Sequence, residues 1–102
     1  MKITQTGDTL NVSEVKDICA VNSENFRSEI CRSLPSSVRT IEVDLSQTRF
    51  VDSCGLGALI GVYKTASRGK DSVTVRLLNP SPPIQQIFEL TRLHRIFEVV
   101  QR

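Results

Sequence analysis

Apolar and polar positions alternate with period two in two stretches of this chain. Ile41, Val43 and Leu45 alternate with Thr40, Glu42 and Asp44, and Val73, Val75 and Leu77 alternate with Ser72, Thr74 and Arg76. Each pattern predicts a strand with one face in a core. Between them Leu56, Leu59, Ile60 and Tyr63 recur at i, i+3, i+4 and i+7, the stripe of an amphipathic helix running from about Cys54 to Ala66 and ending near Gly69. Phe26, Ile30 and Leu34 predict an earlier helix, begun at Asn22 or Ser23 and stopped by Pro35. Lys2 to Thr6 and Thr9 to Ser13 flank Gly7-Asp8 and predict a tight hairpin. Residues 14 to 21 fit neither period and are expected as strand end and loop.

After the second alternating strand, Asn79-Pro80-Ser81-Pro82-Pro83 breaks the chain and starts a helix, since proline suits a first helical turn. Ile84, Ile87, Phe88 and Thr91 give that helix its inner stripe, and Ile96 to Val100 forms a last strand or extended tail. The order strand, strand, helix, strand, helix, strand, helix, strand implies crossover connections and an α/β fold. Polar residues at alternate strand positions imply helices mainly on one face, because sheets covered on both faces read as continuous apolar runs. The expectation is a mixed sheet of about four to five strands whose other face, bearing Glu42, Asp44, Thr74 and Arg76, meets water or a partner.

The chain has 102 residues, 39% hydrophobic and 24% charged, which fits one domain over residues 1–102 with its own modest core. It contains no apolar run long enough to span a bilayer, and its polar start is unlike a secretion signal, so a cytoplasmic protein without membrane insertion is expected. The net charge of +2 is spread among scattered basic and acidic residues, which argues against nucleic acid as a ligand. Cys19, Cys31 and Cys54 form no CxxC pair, and with His94 as the one histidine they have no metal-binding spacing. No cofactor is implied.

The joint between the first alternating strand and the central helix, Phe50-Val51-Asp52-Ser53-Cys54-Gly55-Leu56-Gly57, concentrates the candidate chemistry. Ser53 is placed to cap the helix through its hydroxyl. A phosphate on Ser53 would meet free amides and the positive end of the helix dipole, with Asp52 repelling it. Gly55, Gly57 and Gly61 sit inside the helix at a cost in stability, which implies either close packing or a flat surface on which another protein approaches Ser53. No third glycine completes a dinucleotide-binding fingerprint, since Ile60 stands where it would be. Ser53 lies outside a G-x-S-x-G elbow, and nothing converges on Glu42 and Asp44, so an enzyme is not expected.

Ile41-Glu42-Val43-Asp44-Leu45-Ser46, the Asp52-Ser53-Cys54-Gly55-Leu56 core and Leu77-Leu78-Asn79-Pro80-Ser81-Pro82 together resemble the STAS domain, the anti-sigma factor antagonist family, over roughly residues 8 to 100. The resemblance implies a non-catalytic regulator in a partner-switching pathway. Unmodified, it would bind an anti-sigma factor or serine kinase of the histidine-kinase-like ATPase fold. Phosphorylation at Ser53 would release it, and a metal-dependent serine phosphatase would reset it. The contact surface implied comprises Asp52, Ser53, Cys54, Gly55, Leu56, Gly57 and Ile60, on a chain expected to be monomeric. The alternative is a STAS-like binding subunit that is never phosphorylated, as in a lipid transporter. Two departures bear on the choice: Cys19 stands where the family often has an acidic residue, and Arg92 where it commonly has glycine.

Overall fold

A computed structural model of the chain describes residues 1–68 and 73–102. Its elements are β1 (Lys2–Thr6), β2 (Thr9–Ser13), α1 (Ser23–Arg32), β3 (Thr40–Asp44), α2 (Ser53–Ser67), β4 (Thr74–Leu78), α3 (Pro82–Leu90), a 3-10 turn (Leu93–Arg95) and β5 (Glu98–Val100). The strands form one sheet in the order β1-β2-β3-β4-β5. β1 and β2 are antiparallel; the pairs β2–β3, β3–β4 and β4–β5 are parallel, each joined by a helical crossover. The α/β fold with a mixed sheet of five strands is therefore as the patterning predicts. Gly7 turns the hairpin with φ 61°, a backbone conformation that costs glycine little.

Period two sorts the sheet into two faces. Leu10, Val12, Ile41, Val43, Val75 and Leu77 are buried and pack with Phe26, Ile30, Leu59, Val62, Ile84 and Phe88 of the three helices. The opposite face is polar. Thr6, Thr9, Thr40 and Thr74 stand side by side across four strands. In the neighbouring row Arg76 pairs with Glu42 at 3.2 Å and with Glu98 at 3.0 Å, and Arg102 reaches Glu42 at 3.0 Å. These pairs hold three strands and the chain's last residue together at a half-exposed surface.

Several boundaries differ from the sequence expectation. α1 ends at Arg32, so Leu34 packs on the core from the turn that follows. α2 begins at Ser53 and not Cys54, because Asp52 is its N-cap. Its buried residues are Gly55, Ala58, Leu59, Val62 and Ala66, whereas Leu56, Ile60 and Tyr63 are only partly buried. The inner face is thus rotated from the predicted stripe toward small residues that let α2 lie close to its neighbours. Thr91 is the C-cap of α3 and is exposed, and its hydroxyl donates to the Ile87 carbonyl at 2.7 Å. Arg92, where the resemblance leads to glycine being expected, has φ 60°, a conformation that glycine adopts at little cost. The predicted role of Gly69 in ending α2, and Ser72 of the following strand, lie outside the described residues.

Candidate functional site

Two loops run side by side at the carboxyl edge of the sheet and present the start of α2. Residues 14 to 22 leave β2, and residues 45 to 52 leave β3. Ile18 forms a parallel bridge with Val51, with Ile18 N donating to the Phe50 carbonyl at 3.0 Å and Asp52 N donating to the Ile18 carbonyl at 3.2 Å. Ile18 and Val51 point inward and are buried. Their neighbours Phe50 and Asp52 consequently face outward, by the alternation of extended backbone. Below the ribbon the Thr48 hydroxyl, itself buried, donates to the Val15 carbonyl at 2.7 Å. Of Val15, Ile18 and Val21, whose three-residue apolar spacing fits no regular element, the first two are the inner side of this loop and Val21 is exposed.

The Asp52 carboxylate joins the two loops to the helix. One oxygen accepts from the Gly55 amide at 2.9 Å and the other from the Ala20 amide at 3.0 Å. Its pKa is held below the ordinary carboxylate range, chiefly by the Gly55 amide; partial desolvation opposes this, and the Ala20 and Cys54 amides add to it. Asp52, not Ser53, is therefore the cap, which corrects the expected role of the Ser53 hydroxyl. The Gly55 amide goes to the Asp52 carboxylate and the Leu56 amide to the Asp52 carbonyl at 2.9 Å. The free amides expected to receive a phosphate on Ser53 are to that extent already used. Ser53, in the first turn of α2, is exposed.

The three glycines of α2 have different roles. A Cβ on Gly55 would collide with the Ile18 carbonyl, lying 2.8 Å from its carbon, so glycine here is demanded by the approach of helix to loop. A Cβ on Gly61 would meet the Arg27 side chain, 2.8 Å from its Cδ, where that arginine crosses from α1 while pairing with Glu24 at 2.7 Å. A Cβ on Gly57 would meet nothing. Of the predicted contact residues, Ser53, Cys54 and Gly57 are exposed, Asp52, Leu56 and Ile60 half-buried, and Gly55 buried beneath them. Ser23, Glu24 and Arg27 of α1 face Cys54, Gly57 and Ala58 across a shallow groove.

Cys19, in the place of the family's acidic residue, is half-buried. Its amide donates to Asn22 Oδ1 at 2.9 Å, and its carbonyl accepts from the amides of Asn22 and Ser23. The polar closure of this turn therefore comes from Asn22. The turn carries Val21 at its tip, 94% exposed, and across the ribbon Phe50 is 54% exposed. The exposure of neither is legible in the sequence, since Val21 shares the spacing of the buried Val15 and Ile18, and Phe50 adjoins the buried Val51. His94 is exposed in the 3-10 turn, with Nδ1 3.4 Å from the Phe88 carbonyl. Among the described residues no three His, Cys, Asp or Glu side chains converge as metal ligands would, and no helix is long and apolar enough to cross a membrane.

The same architecture occurs in solved structures of anti-sigma factor antagonists. The unphosphorylated SpoIIAA superposes with a TM-score of 0.68 and 21% identity, covering 93% of this chain and 96% of that one. The phosphorylated form of SpoIIAA, a Bacillus cell fate determinant, gives 0.66 and 21%, covering 99% and 89%. An anti-sigma factor antagonist from Mycobacterium paratuberculosis gives 0.77 and 19%, covering 96% and 81%. At these identities the likeness establishes the fold. Family membership rests on the sequence model of the STAS domain, which matches from residue 1 to residue 102, and on that match the chain belongs to the STAS domain family.

Proposed function

We propose that the chain is a phosphoregulated antagonist in a partner-switching circuit, acting by binding and not by catalysis, in the cytoplasm and as a monomer. The observation that carries this reading is the exposed Ser53 at the start of α2, beside an Asp52 whose carboxylate already holds the Gly55 amide of the helix. A phosphate added there finds the Gly55 and Leu56 amides already bonded to Asp52 and lies next to a carboxylate of depressed pKa. It therefore stays at the surface as roughly two added negative charges and alters what the surface binds without a change of fold. The contact surface comprises Asp52, Ser53, Cys54, Leu56, Gly57 and Ile60, with buried Gly55 setting the helix in place.

The partner of the unmodified form is an anti-sigma factor or serine kinase of the histidine-kinase-like ATPase fold, and a metal-dependent serine phosphatase restores the hydroxyl. Peptide mass spectrometry of the chain isolated from its native cells tests the modification. One phosphoryl group on Ser53 under some growth or stress condition is expected. Its absence under all of them would overturn the switch and favour a constitutive binding subunit of another complex. Ser53→Ala is expected to keep partner binding and Ser53→Asp to lose it; equal binding by both would refute the reading.

A further inference from the structure

The loops that leave the carboxyl ends of β2 and β3 meet beside the start of α3, which follows β4. In open α/β sheets this edge, outside the carboxyl ends of parallel strands, is where ligands bind. Here it encloses a cleft of about 840 Å³. Lys16 and Asp17 line it from the loop after β2, Ser46 and Arg49 from the loop after β3, and Ser81 from the N-cap of α3. The size is that of a small-molecule site, for which about 300–1,000 Å³ is usual.

The cleft is rich in donors that hold nothing. Arg27, Arg76 and Arg102 are each in an ion pair, on Glu24, on Glu42 and Glu98, and on Glu42. Among the described residues the side chains of Lys16, Arg49, Ser46 and Ser81 have no hydrogen-bond or ion-pair partner. Asp17 lines the same cleft, yet its carboxylate takes the Arg49 backbone amide, at 3.3 Å, and neither cation. Ser81 caps α3 in position only. A cap hydroxyl bonds the amide of the second or third helical residue, and Pro83 in second place has no N–H. Two cations against one carboxylate leave the cleft positive, and the start of α3 adds the positive end of its dipole. Its walls are also fixed beforehand. The buried Thr48 hydroxyl donates to the Val15 carbonyl at 2.7 Å and, with the Asp17 bond to Arg49 N, holds the loop after β3 against the loop after β2.

We propose that this cleft is a binding site for a small soluble molecule bearing a phosphate group. Lys16 and Arg49 neutralise the phosphate, Arg49 with a planar fork of donors that matches phosphate oxygens. The Ser46 and Ser81 hydroxyls donate to the oxygens that remain. The cleft is larger than one phosphate and so has room for an organic remainder, and Asp17, which repels the phosphate from its own wall, accepts from a hydroxyl or amine of that remainder. The site does not depend on Ser53 or on its phosphorylation.

The test follows the backbone amides of the purified chain by NMR while inorganic phosphate, and separately pyrophosphate, is added at neutral pH and constant ionic strength. Saturable shifts in the millimolar range are expected at Lys16, Asp17, Ser46, Arg49 and Ile84. Lys16→Gln and Arg49→Gln should each weaken binding about tenfold, the loss of one charge-assisted hydrogen bond, with thermal midpoints near that of the parent chain. Arg95→Gln removes the same charge in the 3-10 turn beyond the far end of α3 and should leave the affinity unchanged. No saturation with either probe in the millimolar range would overturn the site. So would shifts confined to the start of α2, or an equal weakening by Arg95→Gln, which would mean a response to net charge alone.

Discussion

Gly55 and Gly57 occupy the same helix two residues apart, yet alanine at the two positions should act in opposite directions. At Gly57 a methyl group enters open space, and replacing glycine by alanine in an exposed helix interior gains about 0.5–1 kcal/mol. At Gly55 the same gain is available, but the methyl would lie 2.8 Å from the Ile18 carbonyl carbon and 3.1 Å from the Ile18 Cβ, with the carbonyl oxygen nearer still. Backbone cannot swing aside as a side chain can, so the Ile18 ribbon must retreat from α2. Overpacking of this kind costs about 1–3 kcal/mol. The retreat strains the bonds of Ile18 N to the Phe50 carbonyl at 3.0 Å and of Asp52 N to the Ile18 carbonyl at 3.2 Å, each contributing about 1 kcal/mol. The net expectation for Gly55→Ala is a loss of about 2–4 kcal/mol, against the small gain for Gly57→Ala.

Thermal and urea unfolding of the two variants beside the parent chain reads this directly. For a domain of this size 1 kcal/mol corresponds to about 4–8 °C in Tm, so Gly55→Ala should unfold at least about 8 °C lower and Gly57→Ala a few degrees higher. Unchanged urea m-values would show that both act on stability and not on the compactness of either state. A Gly55→Ala protein as stable as the parent, or two variants shifted in the same direction, would refute the claim that Gly55 is set by the approach of the Ile18 backbone.

Three further outcomes are expected. Arg92→Gly relieves a left-handed conformation at φ 60° and should stabilise the chain by up to about 1 kcal/mol, read as a rise in Tm; a fall would show that the arginine side chain contributes more than its backbone costs. The Asp52 pKa is lower in the folded chain than in the unfolded one, so its contribution is fully present above the ordinary carboxyl pKa of about 3.9 and is lost as pH falls through the folded value. The Tm difference between the parent and Asp52→Asn should therefore narrow on acidification below about pH 4, and a gap that stays constant down to acid pH would refute the linkage. Arg76→Met on the helix-free face breaks two half-exposed ion pairs but leaves Glu42 its bond to Arg102, so it should cost less than about 1 kcal/mol and less again in high salt; a larger loss would mean that the row is a buried network.

The strands were legible because period two survives in Ile41 to Leu45 and Val73 to Leu77, and because Gly7-Asp8 has the chemistry of a hairpin turn. α2 was legible as a helix but not in its phase. Leu56, Ile60 and Tyr63 outweigh Gly55, Ala58 and Ala66 on any hydrophobicity count, while the structure puts the small residues inward because α2 approaches Ile18 and α1 closely. Ser53 and Asp52 both have capping side chains, and the choice between them depends on Ala20, 32 residues before Asp52, which no local pattern contains. The exposure of Val21 and Phe50 was not legible for a related reason: an exposed apolar residue is conspicuous only once the fold shows that nothing covers it.

The Asp52 clasp also ties the proposed contact surface to the order in which the chain assembles. Contacts between Ala20 and Asp52, and between Ile18 and Val51, close loops of more than 30 residues that contain α1 and β3. Loop closure of this length brings its entropic cost before the contacts repay it, so these contacts belong to the non-local, late-rewarded part of folding. The Asp52 carboxylate can reach the Gly55 amide locally, but its bond to Ala20 forms only when the α1 crossover has brought the loop after β2 beside the loop after β3. A chain in which that loop is still open carries Ser53 without the Asp52–Ala20 clasp beside it.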